Sequence, residues 1–91
     1  MSMNRVQAFD LLSTSLHQVA PNVDLGVIDA DAPFQEEVDI DSMDFLNLVE
    51  AIHQRSGIEI PERDYPRLAS LEGFLGYLMS APAGTTVPPR G

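Results

Sequence analysis

Asp39-Ile40-Asp41-Ser42-Met43-Asp44 is the stretch that decides how the rest of the chain is read. Three carboxylates crowd one serine, and Phe45, Leu46, Leu48, Val49 and Ile52 follow at helical spacing. Asp41 is a good N-cap, and Asp44, three residues on, stands where a capping partner belongs. Ser42 is then the first helical residue, its hydroxyl beside backbone N–H groups that have no acceptor inside the helix. Such a helix start favours a phosphate. Ser42 is therefore the candidate attachment point for a phosphate-linked group, the alternative being a plain capped helix start.

Outward from that stretch, helix continues to about Arg55, with Gly57 placed as its C-cap. Its apolar residues share one broad face, while Asp44, Asn47, Glu50, Gln54 and Arg55 lie elsewhere. Met43 falls outside the apolar arc, and an exposed methionine beside Ser42 suits an adaptable partner contact. Upstream, Val6, Phe9, Leu12, Leu16 and Val19 recur every three or four positions, which predicts an amphipathic helix from about Asn4 to Val19. Pro21 closes it.

Residues 21–40 form a long connection, unusual in a compact domain unless functional or pinned. Val27, Ile28, Phe34 and Val38 are the expected pins, and a short helical turn fits within it. Asp29-x-Asp31 has the spacing of a calcium loop, but Phe34 stands where the sharp-turn glycine is required, so no EF-hand is expected. Downstream, Ile58-Glu59-Ile60-Pro61 reads as extended, and Glu62 to Tyr65 as one helical turn ended by Pro66. Ser70 caps a last helix carrying Leu71, Phe74, Leu75 and Leu78. Residues 81–91, with three prolines and two glycines, read as a disordered tail beyond a domain over 1–80.

With 91 residues, 44% of them apolar, the chain has material for one small core. No cysteine is present, so disulfides, thiolate metal sites and a cysteine nucleophile are excluded. Residues 1–10 lack the apolar core of a signal peptide, and no apolar run spans a bilayer, so a soluble cytoplasmic protein is expected. The net charge is −9, and eight of the fourteen acids fall between Asp24 and Asp44 with no base among them. Nucleic acid and anionic membrane are poor partners for that surface, whereas enzymes with basic docking patches suit it. His17 and His53 lie on different helices and Ser42 has only acids beside it, so no catalytic constellation forms and no metal site is expected.

Three amphipathic helices, a long acidic first loop and Asp41-Ser42-Met43-Asp44 at the second helix start together resemble the acyl carrier protein family. Ile58-Glu59-Ile60-Pro61 resembles the strand-like segment and proline that follow the family's second helix, and the likeness extends over about residues 4 to 80. It implies an all-α bundle of three longer helices plus one short helix, with a long acidic loop between the first two. It implies 4′-phosphopantetheine on Ser42, donated from coenzyme A by a phosphopantetheinyl transferase, with Asp41 helping to hold the metal ion used in that transfer. Leu46, Val49 and Ile52 would line the space for an acyl chain. Asp39, Met43, Asp44, Asn47 and Glu50 would face the transferase and the acyl-activating or acyl-transferring enzymes, which a monomeric, non-catalytic carrier visits in turn.

Two departures from the family pattern point to a specialised pathway. Asp39-Ile40 replaces a glycine that often precedes the Asp-Ser pair. Asn47, His53, Gln54 and Arg55 occupy a stretch often rich in glutamate, and Glu50 a position often apolar. An aminoacyl or peptidyl carrier, and an unmodified helical interaction module, are the alternatives. Peptide carriers are commonly less acidic, and a degenerate module could easily have lost Ser42.

Overall fold

Asn4 fixes the start of the first helix. Its side-chain oxygen accepts from the Gln7 N–H at 2.8 Å, and Gln7 Oε1 accepts from the Asn4 N–H at 2.9 Å. This reciprocal pair satisfies two donors that a helix start leaves over. From there α1 runs over Arg5–Val19. In the computed structural model, which describes residues 3–81, α2 (Phe34–Val38), α3 (Ser42–Ser56) and α4 (Leu71–Ser80) follow. Single 3₁₀ segments cover Leu25–Val27 and Glu62–Leu68. There is no strand among the described residues, and the fold is all-α, three longer helices and one short one. The tail expected over 81–91 lies, past Ala81, outside the described residues.

The longer helices close on one core. Leu12 and Leu16 of α1, Leu48 and Ile52 of α3, and Phe74, Leu75 and Leu78 of α4 are all buried to within 1% of complete. The face of α1 differs from the expected stripe. Val6 is 77% exposed, and Ala8 and Ser15 are buried with Leu12 and Leu16. At 100° per residue Val6 points away from that group. Small residues carry little hydropathy, so the true contact face of α1 is muted in the sequence. Beyond α3, Ile58 and Ile60 are buried and Glu59 is exposed, the alternation of an extended segment.

The long connection is pinned at Phe34, Val38 and, partly, Ile28 as expected, but at Leu25 in place of Val27. Leu25, Phe34 and Val38 are buried, Ile28 is half-buried, and Val27 is 79% exposed. The Asp24 carboxylate accepts from the Gly26 N–H at 2.8 Å, and the tight 3₁₀ turn so formed turns Leu25 inward and Val27 outward. Two backbone bonds strap the connection to the chain around the start of α4. The Phe34 N–H donates to the Ala69 carbonyl at 2.6 Å, and the Glu72 N–H to the Ala30 carbonyl at 3.0 Å. The expected turn over Glu62 to Tyr65 also runs further, through Pro66 to Leu68. Proline's fixed φ matches a 3₁₀ backbone, so Pro66 is accommodated there where an α-helix interior would break.

Gly57 ends α3 at φ 77°, a left-handed conformation that glycine adopts without steric cost. The two glycines of α4 have opposite surroundings. A Cβ on Gly73 would lie 2.7 Å from the Arg67 carbonyl oxygen, whereas one on Gly76 meets nothing within 4 Å. Gly76→Ala is therefore expected to raise the unfolding free energy by about 0.5–1 kcal/mol through helix propensity. Gly73→Ala is expected to lower it by about 1–3 kcal/mol through overpacking against backbone. Urea midpoints at constant m distinguish the two.

Candidate functional site

The chain reaches Ser42 through a left-handed residue. Asp39, at φ 56° and ψ 51°, ends α2, and the Ile40 N–H donates to the Gln35 carbonyl at 3.1 Å. Aspartate is one of the few residues other than glycine that tolerate this conformation. The turn buries Val38 and Ile40 and leaves Asp39 and Asp41 in solvent, so the acids of the stretch are displayed while its apolar residues anchor it.

Asp41 then caps α3, its Oδ1 accepting from the Asp44 N–H at 2.9 Å. The reciprocal bond, from the Asp41 N–H to the Asp44 side chain, is not formed, unlike in α1. Aspartate is one methylene shorter than the glutamate or glutamine that closes a capping box. Ser42 is the first residue of α3 and is exposed. The Ser42 and Met43 N–H groups open the helix with no intrahelical acceptor, at its positive end. Met43 is 67% exposed, Asn47 and Glu50 are exposed and Asp44 is half-buried. Glu50 Oε2 accepts from Gln54 Nε2 at 3.2 Å.

Two grooves adjoin at Leu46 and Tyr65, and one of them borders the serine. One, of about 590 Å³, is bordered by Ser42 and floored by Phe45, Leu46, Pro66 and Leu68. The other, of about 890 Å³, continues along α3 and is lined by Glu50, His53, Glu59, Arg63 and Asp64. Leu46 and Tyr65 border both. The residues expected around an acyl chain are divided. Leu46, 47% exposed, and Val49 line the larger groove, while Ile52 is fully buried and lines neither. At the far wall Tyr77 donates its hydroxyl to Asp64 Oδ2 at 2.7 Å, and burial first, then this bond, pushes the phenol up to about 12. Sequence periodicity missed Tyr65 and the 3₁₀ segment as groove walls, because that wall is built by tertiary packing.

Charge around the serine is uncompensated. Arg5–Glu72, at 2.9 Å, is the one ion pair among the described residues, and it lies outside the acidic connection. Arg55 instead donates to Gln18 at 2.8 Å, and Arg67 lies 4.9 Å above the Tyr77 ring. The loop acids staple backbone instead: Glu37 accepts from the Asp29 N–H at 2.8 Å and Asp29 from the Asp31 N–H at 2.9 Å. No group of His, Cys, Asp and Glu among the described residues is arranged to hold a metal ion. His17 Nε2 lies 3.3 Å from the Val23 carbonyl oxygen, a boundary contact. Self-repulsion of the acids opposes folding, so added salt is expected to raise Tm, by about 4–8 °C for each kcal/mol of repulsion screened. A salt titration followed by circular dichroism checks this, and a falling Tm contradicts it.

An exposed serine at an uncrowded helix start, next to an open groove with an apolar floor, is fitted to hold a flexible phosphate-linked group on a helical carrier. The family model described as phosphopantetheine attachment site matches residues 12–78, from within α1 to α4, and the chain belongs to the acyl carrier protein family. It is similar to the acyl carrier protein of Streptomyces coelicolor (31% identical over 83 residues, 88% of this chain and 90% of the relative). It is also similar to that of Tropheryma whipplei strain Twist (25% over 83 residues, 91% and 100%). The acyl carrier protein of Lactobacillus johnsonii is 34% identical over 59 residues, 65% of this chain and 74% of the relative. The cofactor of such a protein is 4′-phosphopantetheine, and its role is to carry acyl groups. No helix among the described residues is long and apolar enough to cross a membrane.

Proposed function

We propose that Ser42 carries 4′-phosphopantetheine and that the domain over 1–80 presents acyl thioesters to the enzymes of a dedicated lipid or secondary-metabolite pathway. The observation that carries this reading is the exposed Ser42 hydroxyl at the capped, positive end of α3. In the transfer, Ser42 Oγ attacks the β-phosphorus of coenzyme A. A phosphodiester forms, the phosphoanhydride breaks, and adenosine 3′,5′-bisphosphate leaves, while the hydroxyl proton passes to a base of the phosphopantetheinyl transferase. Asp41 orients the helix start and, together with the transferase, would hold the metal ion that neutralises phosphate charge in this displacement. The Ser42 and Met43 N–H groups face the phosphate. The thiol of the bound group supplies the thioester linkage, which explains how a chain without cysteine serves as a carrier. An intact mass after incubation with coenzyme A and a broad-specificity transferase tests the reading. Gain of one phosphopantetheine supports it, and no gain refutes it.

The protein acts as a cytoplasmic monomer that enzymes with basic docking patches engage in turn. Asp39, Asp41 and Asp44 steer the encounter, and Met43 anchors it. Glu50 opposes any partner that presents an apolar contact to it, because an unpaired carboxylate is costly to bury, and such repulsion sets specificity as much as attraction does. Glu50→Met is expected to raise the kcat/KM of a general fatty-acid ketosynthase for the acylated protein about tenfold, corresponding to about 1.4 kcal/mol. Met43→Ala is expected to weaken every docking. Steady-state kinetics decide, and efficient use of the unaltered protein with no gain from Glu50→Met would remove Glu50 from partner selection.

A further inference from the structure

The groove bordered by Ser42 is lined mainly by rings and apolar side chains, Pro33, Phe34, Phe45, Tyr65, Pro66 and Leu68. Tyr65 stands edge-on to Phe45 at a centroid distance of 5.4 Å. Two exposed carboxylates, Glu36 and Glu62, stand among these residues. Neither belongs to the ion pair found among the described residues, Arg5–Glu72. Aromatic and proline rings edged by carboxylates suit a polyproline II segment that carries an arginine. Such a segment is preformed, so it loses little entropy when its prolines seat on aromatic rings, and a guanidinium bonds carboxylate strongly.

The chain carries such a segment itself. After Ala81 it reads Pro82-Ala-Gly-Thr-Thr-Val-Pro-Pro-Arg-Gly91, with Arg90 as the single charge. Pro88 and Pro89 restrict their own φ angles, and Pro88 biases Val87 toward the same extended form. The groove lies within reach. Ala69, on its edge, immediately precedes the Ser70 cap of α4. From that end to Ala81 is about 15 Å along the helix. Val87 lies six residues beyond Ala81, roughly 19 Å in polyproline II, and Gly84 permits the reversal that a return along α4 requires. Charge favours the return, because eight acids and no base lie between Asp24 and Asp44. So short a tether gives an effective concentration in the millimolar range, and a contact of about millimolar intrinsic affinity is then about half occupied.

We propose that residues 82–91 turn back along α4 and seat Val87-Pro88-Pro89 in the groove bordered by Ser42, with Arg90 against Glu36 and Glu62. The segment is a strap over the serine's groove, which partner enzymes displace with their own basic patches. Its docking stands on the groove and the segment, and its gating role rests on Ser42 being the attachment point. Because the chain has no cysteine, Thr86→Cys gives one position for a nitroxide label in the full chain. The label is expected to broaden the Gln35, Glu36, Tyr65 and Ala69 amides more than the Met79 amide, independently of protein concentration. Arg90→Glu in the labelled chain is expected to remove most of that broadening. Adding Glu36→Arg and Glu62→Arg, with the fold checked by circular dichroism, is expected to restore it. Broadening strongest at Met79 and fading away from Ala81, broadening that grows with concentration, or a pattern indifferent to Arg90→Glu overturns the docking. For the gate, Pro88→Gly/Pro89→Gly keeps the charge and is expected to raise the kcat/KM of phosphopantetheine transfer about twofold, as the covered half of the molecules is released. An unchanged rate overturns the gate. Absence of any mass gain overturns the carrier reading and the gate with it, while the broadening pattern still decides the docking.

Discussion

Ser42→Ala is expected to abolish modification while leaving the fold intact. Incubated with coenzyme A and a phosphopantetheinyl transferase, the unaltered chain gains one phosphopantetheine, and the alanine variant gains no mass. The stability of the variant follows from where Ser42 sits. The cap of α3 is the Asp41 carboxylate, which bonds the Asp44 N–H, so the serine hydroxyl contributes nothing to the helix start. Ser42 is exposed, and alanine has the higher helix propensity, so the change in unfolding free energy stays within about 0.5 kcal/mol. Asp41→Ala, by contrast, costs about 1 kcal/mol through loss of the cap.

No other serine in the described residues offers the same hydroxyl. Ser15 is fully buried, Ser56 and Ser80 donate to the Ile52 and Gly76 carbonyls, and Ser70 accepts from the Gly73 N–H. Ser13 is half-buried on α1, away from a helix start. A modified Ser42→Ala variant would mean that the attachment point has been misassigned.

Phe74→Ala is expected to cost about 3–5 kcal/mol, a large part of the roughly 5–15 kcal/mol that holds a domain folded. The ring is fully buried and touches Phe34 and Phe45, so its loss opens a cavity where α2, α3 and α4 meet. Aromatic pairing adds about 0.5–1.5 kcal/mol per pair beyond burial. The urea midpoint should fall accordingly, and much of the variant should be unfolded at physiological temperature. Val6→Ala serves as the comparison. Because Val6 is 77% exposed, its truncation should change stability by no more than about 0.5 kcal/mol, whereas the apolar stripe read from sequence ranks it with the core. A small loss for Phe74→Ala would mean that the aromatic cluster is not the centre of the fold.

The parts of the molecule legible in its sequence are those set by residues close along the chain. The Asp41 cap and the Ser42 position, the Gly57 and Ser70 helix boundaries, and the apolar periodicity of α3 and α4 all follow from hydrogen bonds and side-chain spacings that span a turn or two. The candidate attachment point was legible for the same reason. Where periodicity failed, the deciding contact came from elsewhere in the chain. Val6, Val27 and Leu46 are as apolar as the residues that were buried, yet Ala8, Ser15 and Leu25 face the core. Hydropathy marks a candidate for burial, and only the element packed against it supplies the burial.

The path of the connection is likewise set by the Phe34–Ala69 and Ala30–Glu72 backbone bonds, between residues far apart in sequence. The same holds for the grooves near Ser42. Phe34, Phe45, Tyr65 and Phe74 come from four separate segments, and the groove walls pair α3 with the 3₁₀ segment. Local sequence marks Ser42 as the candidate attachment point. Tertiary packing decided what space lies beside it, because a cavity is the volume left between elements and no single element encodes it.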